Sequence, residues 1–254
     1  MSGTAAGIAA PGIEARLLTK VFPDRQGGGV VAARDISFHC LPGEVYGLLG
    51  PNGAGKTTTL RMLSTVLRPT SGTATIAGHD VVREPLEVRR SIGYLSGSTG
   101  LYARFTPRET LSFFGGLHGM ERGRLDRRIE EVIDLLEIRS VADQRCERLS
   151  TGNRQRVSIA RAIVHDPPVL IFDEPTLGLD VLVAAALVRF IADCRSLGKC
   201  VIFSTHILSE AEKLCDRIAV IHGGKVRAIG TIDELRELTG KHELEEVFLE
   251  LVKG

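Results

Sequence analysis

The segment Gly50–Thr57 constrains the fold of this chain more than any other part of the sequence. It reads Gly-Pro-Asn-Gly-Ala-Gly-Lys-Thr and matches the pattern G-x-x-x-x-G-K-[ST]. The apolar run Glu44–Leu49 before it predicts a buried strand, and Thr58–Val66 after it has helical spacing. A glycine-rich loop between a strand and a helix is the setting in which this pattern binds phosphate. The alternative is a turn without a ligand, which the lysine, the threonine and the flanking elements together disfavour.

The residues of this loop have separate predicted roles in holding a nucleotide. Glycines allow the backbone N–H groups to curl around phosphate oxygens, and the start of the following helix adds positive potential. Lys56 is expected to reach the β- and γ-phosphates, and the Thr57 hydroxyl is expected to bind Mg²⁺. The predicted nucleotide-binding residues of this segment are Asn52, Gly53, Ala54, Gly55, Lys56, Thr57 and Thr58.

Two adjacent acids form a second candidate site. Asp173 and Glu174 follow the apolar run Val169–Phe172, which predicts a buried strand. Ligands of open α/β sheets bind at the carboxyl ends of strands, where these acids would emerge. We expect Asp173 to hold Mg²⁺ and Glu174 to orient or deprotonate the attacking water. The alternative is that the pair caps the strand or begins a turn before Pro175.

Three further motifs identify a family. Leu149–Arg156 reads Leu-Ser-Thr-Gly-Asn-Arg-Gln-Arg and resembles the LSGGQ signature of ABC ATPases. Pro175–Asp180 is similar to the D-loop of that family, and Ser204–His206 is similar to its switch histidine. The motifs occur in the family's order over nearly the whole chain. Within the family, Ile92–Tyr102 and the LSTG variant of the signature resemble the sodium-extruding NatA-type branch.

The resemblance implies a shared nucleotide site. Members of the family pair head to tail, and each ATP lies between the phosphate loop of one subunit and the signature of the other. The implied ATP contacts beyond the phosphate loop are Ser150, Thr151, Gly152 and Asp180. Because the signature lies where a helix is predicted to begin, it provides a second anion site. An ordinary helix cap with solvated arginines would explain the same residues.

Two single residues complete the implied site. His206 corresponds to the histidine that contacts the γ-phosphate and keeps Glu174 and water in place, so the implied catalytic residues are Glu174, His206 and Lys56. Phe22 lies where the family has an aromatic ring that stacks on adenine. The alternatives are a structural histidine and an aromatic ring that packs in the core.

The sequence also departs from the family pattern. Gly97 aligns with a position that usually holds a glutamine, and glycine has no side chain to contact Mg²⁺ or water. Ser96 or Ser98 is a potential substitute, as is an additional water on the metal. Thr151 and Asn153 replace a glycine and the glutamine of the signature. These changes put the rate of hydrolysis and its coupling to a partner in question.

Composition excludes several other classes of protein. Hydrophobic residues make up 43% of the 254 residues, which is enough for a sizeable core. The 32 Lys and Arg nearly balance the 31 Asp and Glu, so we expect no nucleic-acid partner. Five scattered cysteines without zinc spacing indicate reduced core residues. No run is long enough to cross a bilayer, and the start lacks signal-peptide character. We therefore expect a cytoplasmic protein, peripheral on the inner face of the membrane.

The predicted fold class is α/β, the P-loop ABC-ATPase fold. It has a parallel-sheet core, an N-terminal antiparallel β subdomain and an inserted helical subdomain. The predicted limits are a flexible tail over 1–12, the ATPase domain over 13–230 with the helical insertion at about 98–165, and a C-terminal helical extension over 231–254.

The favoured function is an ATP-hydrolysing subunit that powers export, of sodium ions or a small molecule, through separate membrane subunits, with a homodimer expected. One alternative is an ABC ATPase that acts on ribosomes or nucleic acid, although such relatives tend to have two nucleotide domains or a long coiled coil. Another is a weakly hydrolysing regulatory module. A small-molecule kinase does not explain the signature or His206.

Overall fold

The computed structural model describes residues 12–24, 28–96, 100–179 and 181–253. Within these ranges the chain forms a four-stranded sheet, ordered β2-β1-β4-β5, and a six-stranded sheet, ordered β10-β9-β3-β8-β7-β6. The strands of the smaller sheet are all antiparallel to their neighbours: β1 (Ile13–Pro23), β2 (Gly29–Cys40), β4 (Ser71–Ile76) and β5 (His79–Asp80).

The six-stranded sheet forms the centre of the molecule. It contains β3 (Val45–Leu49), β6 (Ile92–Ser96), β7 (Val169–Asp173), β8 (Cys200–Thr205), β9 (Arg217–His222) and β10 (Lys225–Gly230). All neighbouring pairs are parallel except β9 and β10, which form a hairpin across the turn Gly223-Gly224. Every residue of β3, β7 and β8 is buried, as expected for strands covered on both faces.

Helices connect the strands and cover the sheet. They are α1 (Lys56–Leu63), α2 (Pro85–Ser91), α3 (Pro107–Leu117), α4 (Arg122–Leu135), α5 (Thr151–Ile163), α6 (Val181–Ser196), α7 (Leu208–Leu214), α8 (Ile232–Thr239) and α9 (Leu244–Lys253). Helix α3 begins with a capping box, in which the Thr106 and Glu109 side chains each accept a hydrogen bond from the other's backbone N–H. Thr231 and Glu234 form the same arrangement at the start of α8.

The helices α3, α4 and α5 lie between β6 and β7 in the chain. Their buried residues, including Leu111, Ile129 and Val157, belong to one apolar cluster with Phe172 and Phe203 of the sheet. These helices therefore share an apolar core with the strand that ends in Asp173.

The last helix, α9, packs on its own chain. Leu244 and Val247 are buried in a cluster with Leu49, Val220 and Leu235. At these two residues the apolar side of α9 therefore packs in the chain's own core.

Some features differ from the sequence prediction or were absent from it. Helix α1 begins at Lys56 and ends at Leu63, earlier than the predicted Thr58–Val66, because Thr65 adopts a left-handed backbone with φ of 59°. Strands β4 and β5 were not predicted. The five cysteines are free, and four of them are buried. Among the described helices, none combines the length and the apolar character needed to cross a membrane.

Candidate functional site

The site lies where β3, β7 and β8 end side by side. Strand register pairs Asp173 with Ser204 and Leu49 with Thr205, so the loop after β3 and the acids after β7 meet at one edge of the sheet. The Thr57 hydroxyl donates a hydrogen bond to Asp173 Oδ1 at 2.9 Å, and the Ser204 hydroxyl donates to the same oxygen at 2.8 Å. The two sequence motifs that predicted a phosphate loop and a metal-binding acid are therefore in direct contact.

The backbone of the phosphate loop requires its glycines. Gly53 and Gly55 have φ values of 79° and 107°, which side chains of L-residues rarely adopt. A Cβ atom on Gly55 would lie 2.5 Å from the carbonyl oxygen of Ala32 in β2. The Gly224 N–H also donates to the Ala54 carbonyl at 3.0 Å. The loop is thus held between β2 and the turn after β9, with its N–H groups near the start of α1.

Lys56 is nearly buried, with 4% of its side chain exposed. Its Nζ donates to the carbonyl oxygens of Gly50 at 2.6 Å and Pro51 at 3.1 Å. The same Nζ lies 3.4 Å from Glu174 Oε1. The ammonium group therefore lies inside the loop, where it can stabilise phosphate charge.

Glu174 is held in a strained backbone conformation at the centre of the site. Its φ is 48°, a left-handed value that costs a non-glycine residue about 1–3 kcal/mol. The Ser204 Oγ accepts a hydrogen bond from the Glu174 N–H at 3.0 Å and so supports this turn. Glu174 Oε1 lies 3.4 Å from His206 Nδ1 as well as from Lys56 Nζ. The three predicted catalytic residues therefore lie together, with Lys56 and His206 both close to the Glu174 carboxylate.

Ser204 was not among the site residues predicted from the sequence. Its hydroxyl donates to Asp173 and accepts from the Glu174 backbone, so one buried side chain fixes both acids. The sequence feature that could have identified Ser204 is its position two residues before His206, near the end of a buried strand. The pairing register that makes it useful is a long-range property of the sheet.

The predicted signature residues lie at the start of α5. Ser150 is the N-cap, because its Oγ accepts a hydrogen bond from the Asn153 N–H at 3.3 Å. Ser150 and Thr151 are exposed. A Cβ atom on Gly152 would lie 2.9 Å from Val183 Cγ2, so a larger residue does not fit there without movement. Within the described residues, no hydrogen bond joins this helix start to the phosphate loop.

The signature helix is linked to the carboxylate segment. Gln155 Nε2 donates a hydrogen bond to the carbonyl oxygen of Pro175 at 2.8 Å. Pro175 directly follows Glu174, so a displacement of α5 would act on the backbone beside the carboxylate. This contact provides a physical connection between two motifs that the sequence showed only as neighbours in order.

Phe22 lies near the end of β1 and is 36% exposed. Core packing, the alternative for this residue, does not account for such exposure. Phe22 pairs with Val30 of β2, two residues before Ala32, whose carbonyl oxygen faces Gly55. Lys20 Nζ lies 5.4 Å from the centroid of the Phe22 ring. The ring is thus carried by the same strand pair that contacts the phosphate loop.

Three residues considered in the sequence analysis, Gly97, Ser98 and Asp180, lie outside the described residues, as does the predicted tail up to residue 11. Ser96, named there as a potential substitute for the missing glutamine, is buried and pairs with Asp173 in the register of β6 and β7. It is therefore beside the predicted metal-binding acid.

Comparisons with known proteins identify the family of this chain. Residues 33–177 match the family model described as ABC transporter. The chain is 42% identical over 227 residues to the ABC transporter ATP-binding protein NatA of Bacillus subtilis, covering 89% of this chain and 92% of NatA.

Solved structures show the same fold. An ATP-binding subunit of an ABC transporter has a TM-score of 0.85 at 30% identity, over 94% of this chain and 98% of the other. A dimeric ATP-binding cassette in a post-hydrolysis state, bound to ADP and Pi, has a TM-score of 0.79 at 24% identity, over 87% and 98%. The match to more than half of the chain and the extent of the NatA alignment establish the family. This chain belongs to the ABC transporter family and is an ATP-binding subunit of its ATP-hydrolysing class.

Proposed function

We propose that the chain hydrolyses ATP with Mg²⁺ in a head-to-tail pair of subunits and thereby powers export through separate membrane subunits. The observation that carries this proposal is the position of Glu174 Oε1, which is 3.4 Å from both Lys56 Nζ and His206 Nδ1. A carboxylate between a phosphate-binding ammonium and an imidazole is placed to act on a water beside a γ-phosphate.

The nucleotide would bind along the loop Gly50–Thr57. The N–H groups of the loop and of the first turn of α1 would face the phosphates, and Lys56 would exchange its carbonyl contacts for phosphate oxygens. Phe22, on the strand pair beside the loop, has enough exposed ring to stack on the adenine.

The residues beside the loop suit Mg²⁺, which prefers hard oxygen donors. Thr57 Oγ1 and Asp173 Oδ1 already lie 2.9 Å apart, and these two residues would hold the ion. The ion supplies charge neutralisation at the phosphates when it is bound. Ser204 fixes the orientation of Asp173 for this role.

In the hydrolytic step, Glu174 accepts a hydrogen bond or the proton from the water that attacks the γ-phosphate. His206 holds the Glu174 carboxylate and contacts the γ-phosphate, while Lys56 stabilises the charge of the departing phosphate oxygens. The turn that places Glu174 is already formed, which reduces reorganisation during the reaction.

A second copy of the chain would complete the site. Ser150 and Thr151 are exposed at a helix start, where N–H groups and the helix dipole favour an anion. The similar cassette bound to ADP and Pi is described as dimeric. We propose that the signature of one subunit, with Asp180 beside it, covers the nucleotide of the other.

The likeness to NatA, an ABC transporter ATP-binding protein, supports the proposal of membrane subunits. The proposal of export rests on the resemblance of Ile92–Tyr102 and the LSTG signature to the NatA-type branch. We place the chain on the cytoplasmic face of the membrane, in contact with separate permease subunits. The balanced charge of the chain gives no support to the nucleic-acid alternative. The test is Mg²⁺-dependent ATP hydrolysis by the purified protein with its co-encoded membrane protein. Hydrolysis that Glu174→Gln abolishes supports the proposal, and absence of any such hydrolysis overturns it.

The regulatory alternative rests on Gly97 in place of the usual glutamine. It predicts ATP binding without turnover, even though Glu174 and His206 are retained. Turnover above that of a Lys56→Ala variant would eliminate this alternative.

A further inference from the structure

A cavity of about 370 Å³ lies where the antiparallel sheet meets the six-stranded sheet. Its polar lining comes from Glu14, Ser37, His39, Tyr46 and Arg217. None of these residues belongs to the phosphate loop, the carboxylate pair, the signature or the switch-histidine motif. The cavity is therefore formed by residues with no part in the proposed reaction.

Tyr46 lines this cavity and carries an unpartnered hydroxyl. Its side chain is fully buried and its ring stacks on Phe38 with centroids 5.0 Å apart, which fixes its position. The hydroxyl is buried and has no hydrogen-bond partner among the described residues. Burial raises the pKa of Tyr46, so the hydroxyl remains protonated and able to donate. An unmet buried donor is costly, which favours a ligand with an acceptor oxygen.

Arg217 provides an uncompensated positive charge beside that hydroxyl. Tyr46 and Arg217 are register partners on β3 and β9, so their side chains share one face of the sheet. Arg217 Nε is buried without a partner among the described residues, and Arg217 Nη1 lies 3.4 Å from His39 Nε2. No carboxylate of the described residues pairs with this guanidinium.

The nearby acids are already engaged. Asp216 pairs with Arg195 Nη2 at 2.5 Å and accepts a hydrogen bond from the Val45 N–H at 2.9 Å. Glu14 lines the cavity, but both of its oxygens accept from Arg16 at 2.9 Å. The buried part of this guanidinium is without a carboxylate, so another source of negative charge would stabilise it.

We infer that this cavity binds a small oxyanion, a carboxylate or a phosphate group. The guanidinium of Arg217 supplies a fork of donors that matches two anionic oxygens, and Tyr46 donates to one of them. His39, on β2, approaches from the other sheet. The bound anion would thus connect the antiparallel sheet to the strand that leads into the phosphate loop.

The arginine side-chain N–H signals of ¹⁵N-labelled protein report this binding directly. Saturating ADP is included so that the phosphate loop does not take up the added anion. Sodium acetate or sodium phosphate is titrated into a chloride buffer, with sodium chloride at equal ionic strength as the reference. The Nε–H signal that Arg217→Lys removes is expected to shift saturably with at least one of the two oxyanions. The one that binds more tightly identifies the ligand class.

Tyr46→Phe is the decisive variant, because it deletes one oxygen and leaves the ring stack intact. It is expected to weaken the oxyanion about tenfold, the effect of one hydrogen bond to a charged group. The control variant Arg89→Lys changes an exposed arginine that bonds Thr65, and it should leave the affinity unchanged. A shift no larger than that caused by chloride, or equal affinity in Tyr46→Phe and wild type, overturns the inference.

Discussion

The Thr57 hydroxyl donates a hydrogen bond to Asp173 across 2.9 Å and joins two segments that are 116 residues apart in the chain. The bond brings two hard oxygen donors together before any ion is bound. Because β3 and β7 both pair with β8, the parallel register of the sheet fixes this contact. The bond therefore links the geometry of the sheet to the proposed metal site.

Replacing Thr57 with valine tests the metal-binding role of the hydroxyl. Thr57→Val keeps the shape of the side chain and removes the oxygen, so we expect Mg²⁺-dependent ATP hydrolysis to fall by about tenfold or more, a barrier increase of ~1.4 kcal/mol. Steady-state hydrolysis over a range of Mg²⁺ concentrations measures this effect. Thr57→Ser is the matched control and should retain most activity. An unchanged Mg²⁺ dependence in Thr57→Val would contradict the assignment.

Lys56 is expected to contribute mainly to binding of the phosphates. In Lys56→Met the charge-assisted hydrogen bonds to the nucleotide are lost, which corresponds to about 1.5–3 kcal/mol, or a ten- to hundredfold weaker affinity for ATP. Equilibrium binding of a fluorescent ATP analogue gives this affinity. Lys213→Met, an exposed substitution on α7, serves as the control. Wild-type affinity for ATP in Lys56→Met would contradict the assignment of the phosphate loop as the ATP-binding site.

Ser204 is predicted to support both acids. Ser204→Ala leaves the Glu174 N–H without its partner and releases Asp173, so we expect the free energy of unfolding to drop by about 1–3 kcal/mol and hydrolysis to fall as well. Urea denaturation of the nucleotide-free protein measures the first effect. Ser196→Ala, at an exposed position of α6, should change stability by less than about 0.5 kcal/mol. Equal stabilities of the two variants would show that the Ser204 contacts contribute little to the free energy of unfolding.

A histidine pair outside the site predicts how stability depends on pH. The rings of His118 and His165 stack with centroids 3.5 Å apart, and His165 Nε2 lies 3.0 Å from the Ile92 carbonyl oxygen, to which it can donate. Burial, together with the charge of His118, lowers the pKa of His165 from 6.5 to about 4. The folded chain therefore keeps His165 neutral at a pH where the unfolded chain protonates it.

The sign of the effect follows from proton uptake by the unfolded chain. The contribution of His165 to the free energy of unfolding is fully present above about pH 6.5. It falls by up to ~1.4 kcal/mol per pH unit as the pH drops toward 4, because the unfolded state binds more protons there. Urea denaturation at pH 7, 6 and 5 measures the decline. In His165→Gln, whose amide can also donate to Ile92, the decline should be smaller. An identical pH profile in the two proteins would show that His165 does not cause it.

Much of the site was predictable because local sequence specifies it. The loop Gly50–Thr57 needs Gly53 and Gly55 in conformations with positive φ, and Asp173 and Glu174 had to emerge from a buried strand. The convergence of Lys56 and His206 on Glu174 also agrees with the expected roles, which remain predictions until activity is measured.

Other features depend on distant parts of the chain and were not predictable. The two hydrogen bonds of Ser204 require the register of β7 against β8, which no local pattern specifies. The left-handed turn at Glu174 is unfavourable by residue type and exists because the surrounding sheet supports it. The pairing of Tyr46 with Arg217 likewise requires β9 to lie beside β3. The two strands are far apart in the chain, since their neighbouring residues Val45 and Asp216 are 171 residues apart.

The most direct test of the account is ATP hydrolysis as a function of protein concentration, measured with Mg²⁺ for the wild type and for Glu174→Gln. The account predicts a rate that rises faster than linearly with concentration, as expected for a site shared by two subunits, and that disappears in the variant while ATP binding remains. Wild-type hydrolysis that persists in Glu174→Gln would contradict the central role of this carboxylate.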